Sequence, residues 1–505
     1  MPNSRFARAT WLLFLLAQPA AAKELWESEW VEVRTPHFVI ASAQDLEKTT
    51  ELARELEDFR RMVEIFTNIG RFEERIPTKI VMLPRQERDL GFDGKQSGYF
   101  QTGMRANYAA MIPSGAYSDE VLKHEYIHFL IHNRDRLLYP TWFDEGFADF
   151  FASLRVRGLR FEYGKPMDVR VSWLVNAPWI PYKTVLQTRD TSSLGRDRGA
   201  MFYAQAFLLV HYLMLEHGDF GARNGDFLKR REQGESPLAA FEAAFGIEPK
   251  LLTIKLQRYL RKLTYYKGTL KQPLPPVETT TRTLRPAEIA AELGILALHV
   301  QGAEAASKYY EAALAADPNY GPALTGVGDL HKFAGRFAEA KPYYEKAIAL
   351  EPGNENHELD YAEYFLDLSA KKEEEPAKRA QSLLDARRHF MRAYKLNPDN
   401  PETLAMNGAT YLGEGEDAAK GVESLELAHR LLPSQTTIRL LLAQGYVAAG
   451  HPEKARPHLE TLLAWTHAGG EAAIRAMLDS LDDGTSGTAD AAASEAKSVE
   501  PQPAE

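Results

Sequence analysis

Cysteine is absent from the 505 residues, which excludes disulfides, thiolate metal sites and a lipid-modified cysteine. An exported protein of this kind gains nothing from an oxidising compartment and loses nothing there. Positive charge is not in excess either. The formal net charge is −10 and no basic cluster stands out, which argues against a general nucleic-acid binder. Beyond the N-terminus no apolar run approaches the length of a membrane span. What remains is an ordinary globular composition, 45% hydrophobic and 26% charged, with enough apolar residues for a substantial core. A chain of 505 residues favours more than one domain.

The one apolar run extends from Trp11 to Ala17, after Arg5 and Arg8 and before Ala20, Ala21 and Ala22. This is the pattern of a signal peptide cut after Ala22, and it implies a periplasmic or secreted bacterial protein. Residues 30–34 and 37–42 read as strands around a Thr35-Pro36 turn, residues 46–69 as a helix, and residues 79–83 as a further strand. Residues 107–112 alternate loosely and stop at Pro113, as an edge strand would. Helices are expected between residues 200 and 266. The Pro- and Thr-rich stretch that starts at Lys271 reads as a linker over residues 271–286.

From residue 287 the chain repeats itself. Pro318 and Pro352 stand 34 residues apart, and Pro398 and Pro433 close later units. Gly294 matches Gly328 and Gly408; Ala306 matches Ala340 and Ala386; Tyr310 matches Tyr344 and Phe390. The pattern resembles the tetratricopeptide repeat, about five copies over residues 287–469, with an insertion near Lys371–Lys378. Such arrays usually present a concave surface to a protein or peptide. Residues 470–505 are expected to hold a helix remnant and then, from Asp483, a disordered tail rich in Ala, Ser, Gly, Glu and Pro.

Chemistry is concentrated in His124-Glu125-Tyr126-Ile127-His128. On a helix, residues four apart project from one face, about 6 Å apart along the axis. Two imidazoles so placed can reach one tetrahedral zinc, and Glu125 beside them can take a proton from the attacking water. Ser118, Asp119 and Glu120 make an N-cap and an acidic first turn, while Val121, Leu122, Phe129 and Ile131 supply a face to bury. Two histidines and a glutamate on such a helix are costly without a partner. A third ligand is available in Trp142-Phe143-Asp144-Glu145-Gly146, which opens a second helix after Pro140. Glu145 lies 17 residues beyond His128. Asp149, one turn later on the same face, can accept the free ring N–H of a ligating histidine, His124 being the natural choice.

These residues resemble the gluzincin metallopeptidases, and Trp142-x-x-Glu145-Gly146-x-Ala148 is closest to the small peptidase MA-like domains of that clan. The resemblance covers roughly residues 26–270, within a domain expected over residues 23–270, with specificity confined to the stretch from His124 to Asp149. It implies Zn²⁺ held by His124, His128 and Glu145, with Glu125 as general base and Asp149 behind the ligands. The clan usually supplies an oxyanion donor from a later helix. Tyr203 resembles that donor, with His211, two turns further on, as competitor. His132 reads as a surface residue or a support for the ligands. The segment Gly103–Asn107 lacks the glutamate with which aminopeptidases hold a substrate amine, so no such activity is inferred.

The sequence therefore implies an α+β zincin-like domain followed by an all-α solenoid, acting as an exported zinc metallopeptidase on a peptide or protein substrate. A protein partner is expected on the concave side of the repeats. The rival reading is an interaction scaffold in which a non-catalytic domain keeps zinc for stability.

Overall fold

The computed structural model describes residues 24–67, 75–84, 90–92, 98–112, 118–133, 139–216, 218–413, 415–465 and 471–482. The expected signal peptide and the tail from Asp483 lie outside them, as does Pro113.

The N-terminal unit is an α+β domain. It contains β1 (Trp30–Arg34), β2 (Phe38–Ser42), α1 (Leu46–Thr67), β3 (Thr78–Met82), β4 (Gly98–Gln101) and β5 (Asn107–Met111). Helices α2 (Ser118–His132) and α3 (Thr141–Ala152) follow, then β6 (Arg155–Arg157) and β7 (Arg160–Tyr163). Next come α4 (Asp168–Asn176), α5 (Tyr182–Gln187), α6 (Arg196–Glu216), α7 (Phe220–Glu232), α8 (Pro237–Phe245) and α9 (Leu252–Leu260). The unit ends with β8 (Tyr266–Thr269) and β9 (Thr280–Leu284). The main sheet has the order β4-β5-β3-β2-β1-β9, with β2, β3 and β5 parallel and the other pairings antiparallel.

Two expectations are corrected here. Strand β5 is not an edge strand. The short β4 pairs outside it, and four residues of half-buried sequence give too weak an alternation to be read as a strand. The segment 271–286 is not wholly a linker, because Thr280–Leu284 pairs with β1 from Trp30 to Arg34. Threonine suits a strand, but the preceding prolines mask the signal.

Side chains alternate between two cores, as the two-residue period of a strand dictates. Ile40, Ile80, Met82, Ala109 and Met111 face α1, α2 and α3. Their neighbours Ala41, Val81, Leu83, Ala110 and Ile112 face the opposite way, against Leu293, Leu296, Tyr309 and Tyr310. The second group belongs to the helical array, which runs as five pairs among the described residues. They are α10 (Pro286–Gln301) with α11 (Ala303–Ala316), α12 (Gly321–Phe333) with α13 (Phe337–Leu350), and α14 (Glu355–Ser369) with α15 (Pro376–Leu396). Then come α16 (Pro401–Ala409) with α17 (Ala418–Leu431), α18 (Thr436–Ala448) with α19 (Pro452–Trp465), and a last helix, α20 (Glu471–Asp482).

The glycine–tyrosine matches of the repeats have a steric cause. A Cβ on Gly294 would sit 2.8 Å from the Tyr310 ring, and one on Gly328 would sit 2.9 Å from Tyr344. First helices of successive pairs pack on one another, α10 on α12, α12 on α14 and α16 on α18, so they form the shorter, inner arc. The far end of the array rejoins the domain, since Leu404, Leu425 and Ile438 continue the core of α2 and α3 and Asn133 accepts from Ser434 N at 3.0 Å.

The array therefore covers the back of the sheet. A chain cut after residue 270 would lack β9 and expose Val81, Ala110 and Ile112. It is expected to be insoluble or molten, while the full chain unfolds in one cooperative transition. Near-UV circular dichroism and calorimetry of both forms check this. Leu296→Ala, which removes a buried contact to the sheet, should lower the stability of that transition by about 2–5 kcal/mol.

Candidate metal centre

Helix α2 is buried on most of its circumference by Leu122, Tyr126, Ile127, Phe129, Leu130 and Ile131. Its first half is tied to α1 by Lys123, whose fully buried ammonium reaches Glu55 at 2.7 Å and Asp119 at 3.2 Å. Arg155 binds the same two carboxylates at 3.1 and 2.7 Å. The remaining stripe of the helix carries His124 and His128 towards α3, and Glu125, next to His124, is near enough to Tyr203 on α6 for its charge to act on the phenol. Helix α3 is held by Trp142, Phe143, Phe147, Phe150 and Phe151, all buried, and approaches α6 closely at Gly146. A Cβ there would lie 2.4 Å from Ala206 O. That approach puts Glu145 on α3 and Tyr203 on α6 beside one another.

Three ligand atoms converge. His124 Nε2 is 3.2 Å from His128 Nε2 and 3.2 Å from Glu145 Oε2, and the third edge, His128 Nε2 to Glu145 Oε2, is 3.6 Å. Atoms about 2.0–2.1 Å from a tetrahedral zinc stand about 3.3–3.4 Å apart, so the triangle fits that ion. The other ring nitrogens are committed. His124 Nδ1 meets Asp149 Oδ1 at 2.8 Å, and His128 Nδ1 meets Asp144 Oδ1 at 3.0 Å. A carboxylate at Nδ1 fixes the proton there and leaves Nε2 as a lone pair. When the rings are neutral, two such lone pairs and a carboxylate oxygen face one another, an arrangement that suits a cation, whether protons on the rings or a metal ion between them.

The proton affinities carry the same message. Burial acts to lower the histidine pKa values, but hydrogen bonds to Asp149 and Glu145 override it and hold His124 up at about 9. Burial is likewise overridden at His128, raised by the charge and hydrogen bond of Asp144 and by Glu145. Burial would raise Glu145, yet hydrogen bonds from His124 and His128 depress it to about 2. Asp149 is also depressed to about 2, against burial, chiefly by the Arg170 charge and by His124. The pocket favours positive charge at its centre.

Sequence reasoning missed Asp144 and Arg170. Asp144 precedes Glu145 and holds His128, while its second oxygen lies 2.9 Å from His132 Nε2. His128, His132 and Asp144 are close enough to share an ion, but their contacts are already imidazole-to-carboxylate pairs. Arg170 on α4 binds Asp149 through Nε at 2.7 Å and Nη2 at 3.2 Å and lies 5.0 Å over the Tyr203 ring. No spacing rule connects it to the motif.

Tyr203 and His211 part company. Tyr203 borders the site, since burial, followed by the charge of Glu145 and more weakly that of Glu125, raises its pKa. Its hydroxyl is 3.5 Å from Thr191 Oγ1. His211 is fully buried elsewhere. Its Nδ1 meets Tyr259 Oη at 2.8 Å and its Nε2 meets Gly164 O at 2.9 Å, so it has no nitrogen left for an oxyanion.

A family profile described as a tetratricopeptide repeat matches residues 322–354, the α12–α13 pair. The array is thus built of tetratricopeptide repeats, a design that serves protein interaction. No curated protein matches the chain. Among solved structures, TTC0263, a thermophilic TPR protein of Thermus thermophilus, is 22% identical and covers 39% of this chain and 98% of its own, with a TM-score of 0.34. Pseudomonas aeruginosa pilF is 17% identical over 39% of this chain and 87% of its own, TM-score 0.31. YrrB, described as a TPR protein with an unusual peptide-binding site, is 19% identical over 38% of this chain and 91% of its own, TM-score 0.28.

Two outcomes are expected from this geometry. Gly146→Ala forces α3 from α6 and should cost about 1–3 kcal/mol, with loosened metal binding, measured by thermal unfolding and a zinc titration. In chelator-treated protein, His124 has a folded pKa of about 9 against about 6.5 unfolded. Its stabilisation is complete below about pH 6.5 and is lost as pH rises towards 9. The melting temperature should fall across that window, and more steeply than in His124→Gln.

Proposed function

We propose that the N-terminal domain is a zincin-type, zinc-dependent peptidase, exported to the periplasm or medium, with the repeats as its protein-interaction arm. The observation that supports it best is the triangle of His124, His128 and Glu145 atoms, whose edges of 3.2, 3.2 and 3.6 Å suit one tetrahedral ion. Export rests on the charge and apolar pattern of residues 1–22.

Each residue then has a part. His124, His128 and Glu145 hold the ion, while Asp149 and Asp144 keep the two imidazoles in the tautomer that presents Nε2. A bound zinc would polarise the scissile carbonyl and ease deprotonation of the attacking water. Glu125, on the same helix as both histidines, takes the water proton and returns it to the leaving amine. Tyr203 donates a hydrogen bond to the oxyanion that develops on the substrate carbonyl. Burial raises its pKa above the ordinary phenol value, which favours the protonated form that a donor requires. Arg170 braces Asp149 from behind and shields one face of the Tyr203 ring. A decayed domain keeping zinc only for stability would have no use for Glu125 or for a half-buried phenol on α6 beside Glu145.

Elemental analysis of protein lacking residues 1–22 should give about one zinc per chain. His124→Ala and Glu145→Ala should lose it. Glu125→Gln should keep the ion and lose turnover of peptide substrates, and metal loss in that variant would contradict its role. Tyr203→Phe should retain zinc and lower kcat by about 10²–10³-fold. An unchanged kcat would remove Tyr203 from the mechanism.

A further inference from the structure

The segment between β4 and β5 carries an arginine into the array. Arg105 Nε lies 2.6 Å from Glu402 Oε2 on α16, and Nη1 lies 2.7 Å from Asp360 Oδ1 on α14. Glu363, nearly one turn along α14, is 4.0 Å from Nη2. All three carboxylates belong to first helices, on the inner arc of the repeats. Asp329 on α12 and Asp367 on α14 extend the same acidic patch. Within the array it is answered by the buried Lys332, at 3.0 Å from Asp329 and 3.9 Å from both Glu363 and Asp367. Lys332 reaches three of these five carboxylates, and negative charge left unmatched in a partly buried patch is costly. The second cation comes from the other domain. The complementarity is wider than this pair, since Arg75 meets Asp399 at 3.0 Å and Lys79 meets Glu292 at 3.5 Å. In each case the N-terminal domain supplies the base and the array the acid.

On its other side the Arg105 segment is continuous with β4. That strand forms the outer edge of the sheet and crosses α2, where Gly98 faces Val121, with 3.5 Å between its would-be Cβ and Val121 Cγ1. Val121 is one helical turn before Glu125, on the same face. The line from the repeats to the proposed active site is therefore short: Glu402 and Asp360, Arg105, β4, α2.

We propose that the acidic inner face of the repeats takes the N-terminal domain of its own chain as ligand, through Arg105, and thereby holds in place the β4 edge that borders the metal cleft. The consequence for substrate rests on the peptidase reading. An extended peptide that adds to the sheet beside the cleft would pair with β4, so the array sets substrate affinity without touching the ion.

The test uses the full chain as wild type, Arg105→Gln, Arg105→Lys, Glu402→Gln and the double variant Arg105→Gln with Glu402→Gln. Hydrogen exchange is followed at residues 98–111, with α3 as internal reference, and zinc per chain is measured beside it. Arg105→Gln and Glu402→Gln should each speed exchange in β4 by about tenfold or more, leave α3 and the zinc content at wild-type level, and combine with less than additive effect. Arg105→Lys should fall between, because a lysine keeps the charge and loses the forked geometry. Peptide turnover, where present, should show a raised KM with little change in kcat. Wild-type exchange in β4 of both single variants would overturn the proposal. So would a rise shared equally by β4 and α3, which marks general destabilisation. Exchange needs no turnover, so an inactive wild type would sink the peptidase reading and leave the coupling to stand or fall alone.

Discussion

A sheet with three parallel strands at its centre has two apolar faces, and neither can be left to water. The rest of this molecule follows from how those faces are covered. Helices α1 to α3 take the front and bring the motif residues with them. The back is taken by α10 and α11, the first pair of the array, through Leu293, Leu296 and Tyr310. The repeats are thus a layer of the domain as well as an extension of it. The strand β9 makes the junction continuous, because it enters the same sheet immediately before α10. Charge then follows shape. Arg75, Lys79 and Arg105 lie where the array offers Asp399, Glu292, Asp360 and Glu402.

The candidate centre is a local excess of acceptors built from two helices. Two Nε2 lone pairs and one carboxylate oxygen meet because α2 presents residues four apart and α3 presents Glu145 opposite them. Their backing is layered: Asp149 behind His124, Asp144 behind His128, and Arg170 behind Asp149. The outermost group also lies over Tyr203, so the proposed ligand set and the proposed oxyanion donor share one guanidinium as support. Gly146 is what lets α6 approach closely enough for this. The aromatic packing of Trp142 and Phe143 against Phe220, Phe227 and Phe241 ties α3 to α7 and α8 as well.

The site was more legible than its surroundings. His124, Glu125, His128, Glu145 and Asp149 obey helical spacing, which a sequence displays directly. Asp144 was hidden by its position next to Glu145. Neighbours on a helix diverge by about 100°, and only the placement of α3 against α2 shows that both reach His128, Glu145 at Nε2 and Asp144 at Nδ1. Arg170 was hidden because its partner is 21 residues away on a different element. Tyr203 and His211 lie on one helix and could not be separated by pattern. Packing separates them, since Tyr259 and the Gly164 carbonyl take up both nitrogens of His211.

By itself the sequence determined the repeat period, the α+β order of the first domain, the His-Glu-x-x-His spacing and the absence of thiol chemistry, all of which are matters of residue type and short-range spacing. Tertiary structure decided everything that depends on which surfaces meet. It made β4 rather than β5 the edge of the sheet and turned part of a proline-rich linker, Thr280–Leu284, into a strand. It also packed the first repeats against the back of the sheet and set Arg105 among Asp360 and Glu402 of later ones. The physical reason is common to all three. Pairing and burial are satisfied between segments far apart in the chain, and a pattern with a period of a few residues carries no record of its distant partner.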